Sequence, residues 1–192
     1  MRPVVWPICL LGWLFGACAG AAAQFTRDDW WRANEATVRL SPSAFRNLPA
    51  EVRAALERRG GTIPRPYDAR GPETNVISGE FTSTGQTDWA VLCSRERQSA
   101  ILVFDGKHFD QVDEIAQGPD LKYLQVVSGG REIAYSRRLS LLKPSAIRQH
   151  FARSANVPQK IDHDGIDDRF VGKASVAWYR SSGKWVKLSG AD

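Results

Sequence analysis

The spacing of apolar residues changes once along the chain, near residue 75. Within 49–59, Val52, Ala55 and Leu56 follow helical spacing, and Gly60-Gly61 ends the pattern, as at the C-terminus of an amphipathic helix. Beyond residue 75, apolar and polar residues alternate or form short apolar runs, which predicts strands. The chain is therefore predicted to be α+β, with a helical N-terminal segment followed by a mostly antiparallel β-sheet of about six or more strands and one short helix.

Turn signals divide the second part of the chain into strands. Short polar segments and the Asp-Gly pair at 105–106 separate the apolar runs, as in antiparallel hairpins. One short helix is predicted at 144–153, where Ile147 and Phe151 lie one turn apart. The predicted strands are 75–81, 89–95, 99–104, 108–112, 121–127, 131–137, 174–179 and 184–188.

The chain begins with the pattern of an export signal. Residues 1–23 combine Arg2, an apolar run and a small-residue site in which Ala21 and Ala23 fit the A-x-A rule, as in a secretory signal peptide. We therefore expect an exported protein that is periplasmic or extracellular. The alternative is a lipoprotein in which Cys18 carries the lipid.

The mature chain is expected to form one domain. Residues 24–74 contain the helical segment and a Pro-rich connector, and 75–192 form the β-rich body. Near the start, Thr26 is predicted to cap a helical turn whose first residues are acidic. Cys93 is the cysteine that remains after removal of the leader, so no intramolecular disulfide is expected. Its apolar neighbours predict that it is buried.

The charged residues are mixed along the chain. The formal net charge is +5, and the basic residues occur singly or in pairs rather than in a stripe with aromatic residues between them. A nucleic-acid-binding protein usually carries such a stripe. We therefore expect no nucleic-acid partner and no transmembrane span in the mature chain. We expect a monomer that binds a protein or a component of the cell envelope.

The stretch 79–91 combines a Gly-x-Phe, a polar loop with a glycine, and the run Asp-Trp-Ala-Val. It resembles one FG-GAP or VCBS-type repeat, the unit of integrin-α-like propellers. The resemblance implies a strand–loop–strand shape. In that family the loop carries acidic calcium ligands, whereas Thr82, Ser83 and Thr84 occupy those positions here and Asp88 is the acid that remains. Hard cations need several oxygen ligands, so the resemblance does not extend to calcium binding at this loop.

A second stretch, 161–168, carries acids around a glycine in a spacing that resembles calcium loops of several extracellular folds. Asp162, Asp164 and Asp168, with the carbonyl oxygen of Ile166, offer the oxygen ligands that calcium prefers. Calcium is therefore the one cofactor that the sequence suggests. The alternative is a loop whose carboxylates cap local backbone groups. His163 would add a ligand for a transition metal.

Four tryptophans are candidate binding residues. Trp30 and Trp31 are adjacent and form either a stacking platform for a sugar or partner, or an attachment of the N-terminal segment to the core. Trp178 and Trp185 lie in predicted strands, where exposure would create a platform for carbohydrate or peptide and burial would make them core residues. Trp178 and its neighbour Tyr179 are predicted to face opposite sides of the sheet. We expect most of these aromatic residues to be in the core.

No catalytic motif is found in the sequence. It contains no G-x-S-x-G, no H-E-x-x-H and no Gly-rich phosphate loop. The run 162–192 is similar to exported bacterial proteins of unassigned activity, which supports export and a single domain. The leading hypothesis is a small exported, non-enzymatic protein that binds a partner. The alternative is a secreted hydrolase, supported by calcium, with the loop 162–168 at its site.

Overall fold

The computed structural model describes residues 25–71 and 74–189. The first helix, α1 (Arg27–Ala36), begins at Thr26 as predicted. The Thr26 hydroxyl accepts a hydrogen bond from the Asp29 amide, and the Asp29 carboxylate accepts one from the Thr26 amide, so two backbone donors at the helix end are satisfied. The next elements are β1 (Arg39–Leu40), a 3-10 helix at Pro42–Ala44, α2 (Ala50–Arg58) and β2 (Ile63–Pro64), which pairs with β1.

Two antiparallel meanders and one hairpin form the rest of the described chain. The first meander contains β3 (Val76–Gly79), β4 (Asp88–Arg95), β5 (Gln98–Phe104) and β6 (Val112–Pro119). A 3-10 helix at Asp120–Tyr123 leads into the hairpin of β7 (Leu124–Val127) and β8 (Glu132–Tyr135). The second meander contains β9 (Arg137–Leu142), then α3 (Pro144–His150), β10 (Gly165–Phe170), β11 (Ser175–Ser181) and β12 (Lys184–Ser189).

The two four-stranded sheets share one inner core. Leu92 and Ile101 of the first sheet and Leu139 and Ile166 of the second belong to it, and the hairpin and α1 also contribute side chains. Helix α2 covers the other face of the first sheet. Helix α3 covers the other face of the second sheet. The layers are therefore helix, sheet, sheet and helix.

Burial on both faces explains the apolar runs in β4 and β5. Leu92 and Ile101 face the inner core, whereas their neighbours Val91 and Leu102 pack on the side of α2. A strand that is buried on both faces has few polar positions. The sequence therefore shows these two strands clearly, and their predicted boundaries agree with the structure to within one residue.

The α+β class is confirmed. The prediction of a single sheet is wrong, because the strands of residues 25–71 and 74–189 are divided among four sheets. Of the predicted strand 108–112, only Val112 lies in a strand. The turn after Asp105 is longer than an Asp-Gly hairpin because the carbonyl oxygens of Asp105 and His108 accept hydrogen bonds from the amides of His108 and Gln111. The predicted helix 144–153 ends at His150.

Strands β9 and β10 were not predicted, and the predicted loop 161–168 is wrong from Gly165 onward. Both strands carry neighbouring charged residues, which are typical of exposed loops. In the structure, Arg137 of β9 and Asp168 of β10 form an ion pair that is largely buried. Burying a single charge costs free energy, which normally keeps such residues out of a buried strand. Here the two opposite charges pair with each other and offset that cost.

Several expectations concern parts of the chain outside the described residues. The predicted signal peptide 1–23, with Cys18, lies there. Among the helices of the described residues, none is long and apolar enough to cross a membrane. Cys93 is buried, as predicted.

Candidate functional site

A groove of about 420 Å³ lies between α1, the connector after β2 and the β7–β8 hairpin. Two large apolar side chains in its lining are exposed to solvent, Val38 to 54% and Tyr67 to 47%. Exposed apolar side chains that line a concave surface are typical of a binding site. The remaining lining is mostly small or apolar, with Arg65 and Glu132 as its charged groups, and includes Ala33, Ala36, Pro66, Ala69, Ile133 and Ala134.

Hydrogen bonds and an ion pair hold the walls of the groove together. The Arg65 amide donates to the Val38 carbonyl oxygen at 2.9 Å, and the Tyr67 amide donates to the Tyr135 carbonyl oxygen at 2.8 Å. Asp68 of the connector also pairs with Arg138 of β9 at 2.8 Å. Because backbone contacts join all three walls, the groove is formed before any partner binds.

A buried carboxylate fixes the end of α1 to the body of the protein. Asp120 is fully buried and accepts hydrogen bonds from Arg39 Nη2 at 2.8 Å and from Ser94 Oγ at 2.6 Å. The Arg39 guanidinium also donates to the backbone and side-chain oxygens of Asn34, both at 2.9 Å. Asp120 therefore positions the α1 wall of the groove through Arg39.

A second buried charge lies in the inner core. Arg137 is fully buried and forms a bidentate pair with Asp168, with both N–O distances at 2.8 Å. Its guanidinium also donates to the Ala116 carbonyl oxygen at 3.0 Å and lies 4.2 Å from the centre of the Tyr123 ring. Burial lowers the pKa of Arg137, but the hydrogen bonds and charge of Asp168 outweigh it and raise that pKa above its ordinary value.

Two further buried polar side chains lie near these charged pairs. The Ser94 hydroxyl donates to Asp120, which also pairs with Arg39, so Ser94 belongs to the network that holds the end of α1 to the body of the protein. Burial raises the pKa of the Tyr135 phenol far above its ordinary value, and its hydroxyl has no hydrogen-bond partner among the described residues. A buried hydroxyl without a partner costs free energy rather than stabilising the core.

The structure places the four predicted calcium ligands in four different environments. Asp162 is exposed and pairs with Lys160 at 2.7 Å, and the hydrogen bond from Lys160 lowers its pKa. Asp164 accepts from Lys143 Nζ at 3.0 Å. Asp168 pairs with Arg137, and Ile166 lies in the middle of the second sheet.

No group of three His, Cys, Asp or Glu residues is placed to hold a metal ion within 25–71 and 74–189. His163, the candidate ligand for a transition metal, is buried and stacks on Tyr179 at 4.3 Å between ring centres. Its ring nitrogens lie 3.0 Å from the Asp164 carbonyl oxygen and 2.9 Å from the Arg180 carbonyl oxygen. Calcium binding at 162–168 stays one of two alternatives, to be decided by experiment.

The stretch 79–91 has the strand–loop–strand shape that the FG-GAP resemblance implied, as β3, a loop and β4. Asp88 organises this loop. Its fully buried carboxylate accepts hydrogen bonds from the Thr82 amide and hydroxyl, from Gln86 Nε2 and from the Gly106 amide, at 2.6 to 2.8 Å. Asp88 is the acid that this chain shares with the calcium loops of that family. Its carboxylate is already bound by these hydrogen-bond donors.

The two stretches that the sequence singled out lie next to each other. The Asp164 amide donates to the Glu80 carbonyl oxygen at 3.0 Å, and the Glu80 amide donates to the Asp164 carboxylate at 3.1 Å. Thr84 Oγ1 also donates to the Asp162 carbonyl oxygen at 3.1 Å. These reciprocal bonds connect the start of β10 to the loop after β3.

Three of the four candidate tryptophans pack against the inner core. Trp30, Trp178 and Trp185 are partly buried there, whereas Trp31 is 44% exposed. The indole N–H of Trp185 donates to Asp113 at 2.8 Å. Trp178 faces the inner core and Tyr179 the side of α3, which confirms their predicted opposite orientation. Of the exposed aromatic side chains Trp31 and Tyr67, Tyr67 lines the groove and Trp31 does not.

A second groove, of about 350 Å³, lies between the end of α2 and strands β5 and β6, and Cys93 lines it. Burial raises the pKa of the Cys93 thiol to about 11. A thiol with so high a pKa is a poor nucleophile at neutral pH.

Sequence reasoning missed the groove because its residues come from three segments without a shared motif. Val38 follows α1, Tyr67 lies in the connector, and Ile133 belongs to the hairpin. The one available signal is that Val38 and Tyr67 are large apolar residues in segments without a strand or helix pattern. Compared with models of protein families, with curated proteins and with solved structures, the chain matches none.

Proposed function

We propose that this chain is an exported, non-enzymatic protein that binds a protein or a component of the cell envelope in the groove between α1, the connector and the β7–β8 hairpin. The observation that carries the proposal is the exposure of Val38 and Tyr67 on one concave surface. About half of each side chain is already covered, so burying the rest against a partner would contribute roughly 1 kcal/mol each. Export follows from the signal-peptide pattern of residues 1–23.

The arrangement of the acidic residues supports binding rather than hydrolysis. A hydrolase centred on 162–168 would need one carboxyl group as acid or base within reach of a substrate. Asp164 is instead held by Lys143 and by the Glu80 amide, and Asp168 by Arg137. These contacts favour a structural role for both carboxylates.

Site-specific photo-cross-linking tests the proposal. A photoreactive phenylalanine derivative replaces Tyr67 in the groove, and in a control variant it replaces Leu141, which is 37% exposed on β9 and does not line the groove. Both variants are expressed in the native cells and irradiated. We expect a cross-linked partner at position 67 and none at position 141. The proposal is wrong if position 67 gives no product, or if both positions give the same product.

A further inference from the structure

One edge of the groove is formed by strand β8, and the pairing of the hairpin shows which way its backbone groups point. The Ser136 amide donates to the Tyr123 carbonyl oxygen, towards the side of β7. The Tyr135 carbonyl oxygen accepts from the Tyr67 amide, on the opposite side. Backbone groups of successive residues in a strand alternate between its two edges. The N–H and C=O of Ile133 therefore point to the same side as the Tyr135 carbonyl oxygen.

The backbone of Ile133 consequently offers one donor and one acceptor to the groove. Within the described residues, no backbone group outside the β7–β8 hairpin forms a hydrogen bond with the N–H or the C=O of Ile133. The neighbouring Tyr135 carbonyl oxygen, in contrast, accepts a hydrogen bond from the connector. An unpaired strand edge is a template for another extended chain. β8 is four residues long, and because the connector occupies its Tyr135 end, the open part of the edge is the N–H and C=O of Ile133.

The groove also contains a basic side chain without an acidic partner among the described residues. Arg65 donates through Nη2 to the Gly71 carbonyl oxygen at 3.1 Å, and it forms no ion pair with residues 25–71 or 74–189. The carboxylate of Glu132, the other charged group in the lining, accepts from Ser128 Oγ at 3.2 Å. An anionic group on a ligand would complement Arg65.

We infer that the occupant of the groove is an extended polypeptide segment that adds to the free edge of β8. Its main chain pairs with the N–H and C=O of Ile133, an apolar side chain packs on Val38 and Tyr67, and a carboxylate pairs with Arg65. This inference rests on the proposed function and narrows it to an acidic, extended peptide. The main chain of an extended peptide can form hydrogen bonds with the open N–H and C=O groups of a strand edge. Contacts of its side chains then give specificity.

Peptide selection followed by a backbone scan tests the inference. A library of random nonapeptides is selected for binding to the purified protein, and the most enriched sequence is synthesised. Its affinity is measured for the wild type, Arg65→Gln, Tyr67→Asp and the control Leu141→Asp. The melting temperature of each variant shows whether it is folded. The peptide is also made with each amide N-methylated in turn and measured on the wild-type protein, which requires no change to the fold.

We expect enriched peptides to contain an acidic residue next to apolar ones. Arg65→Gln and Tyr67→Asp should each weaken binding about tenfold or more, and Leu141→Asp should leave it unchanged. N-methylation of one central amide should weaken binding about tenfold, because the Ile133 carbonyl oxygen loses its donor, while methylation of the two neighbouring amides is tolerated.

The contrary outcomes separate the inference from the proposed function. If all N-methylated peptides bind like the parent while Tyr67→Asp still weakens binding, main-chain pairing is wrong and the groove remains a binding site. If Arg65→Gln binds like the wild type, the carboxylate contact is wrong. If the peptide binds Tyr67→Asp as well as the wild type, both the inference and the groove are contradicted. A library that yields no enriched peptide overturns the inference, and cross-linking at position 67 then decides the proposed function independently.

Discussion

Arg137 and Asp168 form a bidentate ion pair in the inner core, with the Arg137 side chain fully buried and the Asp168 side chain 11% exposed. The pair joins β9 to β10, and Arg137 also reaches the Ala116 carbonyl oxygen of the first sheet. Ala116 has a positive φ of 55°, in the part of β6 where the register with β5 shifts. The Arg137 guanidinium therefore connects β6, an irregular strand of the first sheet, to β10, a regular strand of the second sheet.

Replacing Arg137 should destabilise the protein strongly. Arg137→Met leaves the Asp168 carboxylate in the core without its cation, and we expect the free energy of unfolding to fall by about 3–5 kcal/mol in denaturant titrations. The neighbouring Arg138 pairs with Asp68 near the surface, so Arg138→Met is a matched control that should cost less than about 1 kcal/mol. Equal losses for the two variants would contradict the structural role of the buried pair. Arg137→Met combined with Asp168→Leu should recover part of the loss.

The turn at Gly106 should not tolerate a side chain. A Cβ atom at this position would collide with the Thr87 carbonyl oxygen, and the Gly106 amide donates to buried Asp88 at 2.8 Å. We expect Gly106→Ala to lower the free energy of unfolding by about 1–3 kcal/mol, because the backbone around Asp88 must move. The control is Gly118→Ala, whose Cβ would meet Tyr123 at an ordinary 3.5 Å. A Gly106→Ala protein as stable as the control would show that Asp88 does not fix this turn.

Cys93 should react slowly with thiol reagents in the folded protein. Its pKa of about 11 leaves roughly one thiol in a thousand ionised at pH 8. Alkylation of Cys93 by iodoacetamide, followed by mass spectrometry of its peptide, should be far slower in the native than in the unfolded protein. Rapid native alkylation would contradict the burial of the thiol.

The raised pKa of Cys93 also makes the free energy of unfolding depend on pH. Folding raises the pKa of Cys93 from 9.0 to about 11, so the unfolded thiol ionises first as the pH rises. The contribution of the neutral thiol is therefore present below pH 9 and is lost between pH 9 and 11. Cys93→Ala should show a shallower loss of stability across this range than the wild type. If the free energy of unfolding falls equally with pH in both proteins, the raised pKa of Cys93 is contradicted.

Calcium should leave the stability of the protein unchanged. Asp164 and Asp168 are already bonded to Lys143 and Arg137, so an ion would have to displace both cations. Thermal melts with millimolar calcium and with a chelator should coincide, whereas a site filled at a hundredfold excess over its Kd would add about 2.7 kcal/mol. An upward shift that is lost in Asp162→Asn combined with Asp164→Asn would establish the calcium site that the sequence suggested.

The elements that the sequence predicts well are those whose patterns depend on local spacing. The predicted helix 49–59 corresponds to α2, because its buried residues Val52, Ala55 and Leu56 recur at helical spacing. Thr26 was identified from its residue type and the acids that follow it, and it caps α1. These signals lie within one or two turns of the chain, so they can be read from a single sequence.

The elements that were missed depend on partners far away in the sequence. Arg137 and Asp168 are typical surface residues by type, and their burial depends on each other across 31 positions. The groove likewise brings Val38, Tyr67 and Ile133 together from separate elements. Residue type and spacing do not show which distant residues pair, so β10 was not predicted, and the apolar type of Val38 and Tyr67 did not by itself place them in one groove.

Hydrogen exchange of backbone amides along the whole chain tests the binding role of the groove most directly. It is measured for the protein alone and with the partner recovered by cross-linking at position 67. We expect exchange to slow in 65–69 and 132–135, with the largest change at the Ile133 amide, and to be unchanged around Thr84 and Asp164. Slower exchange around Thr84 and Asp164 with an unchanged groove would contradict the proposed function.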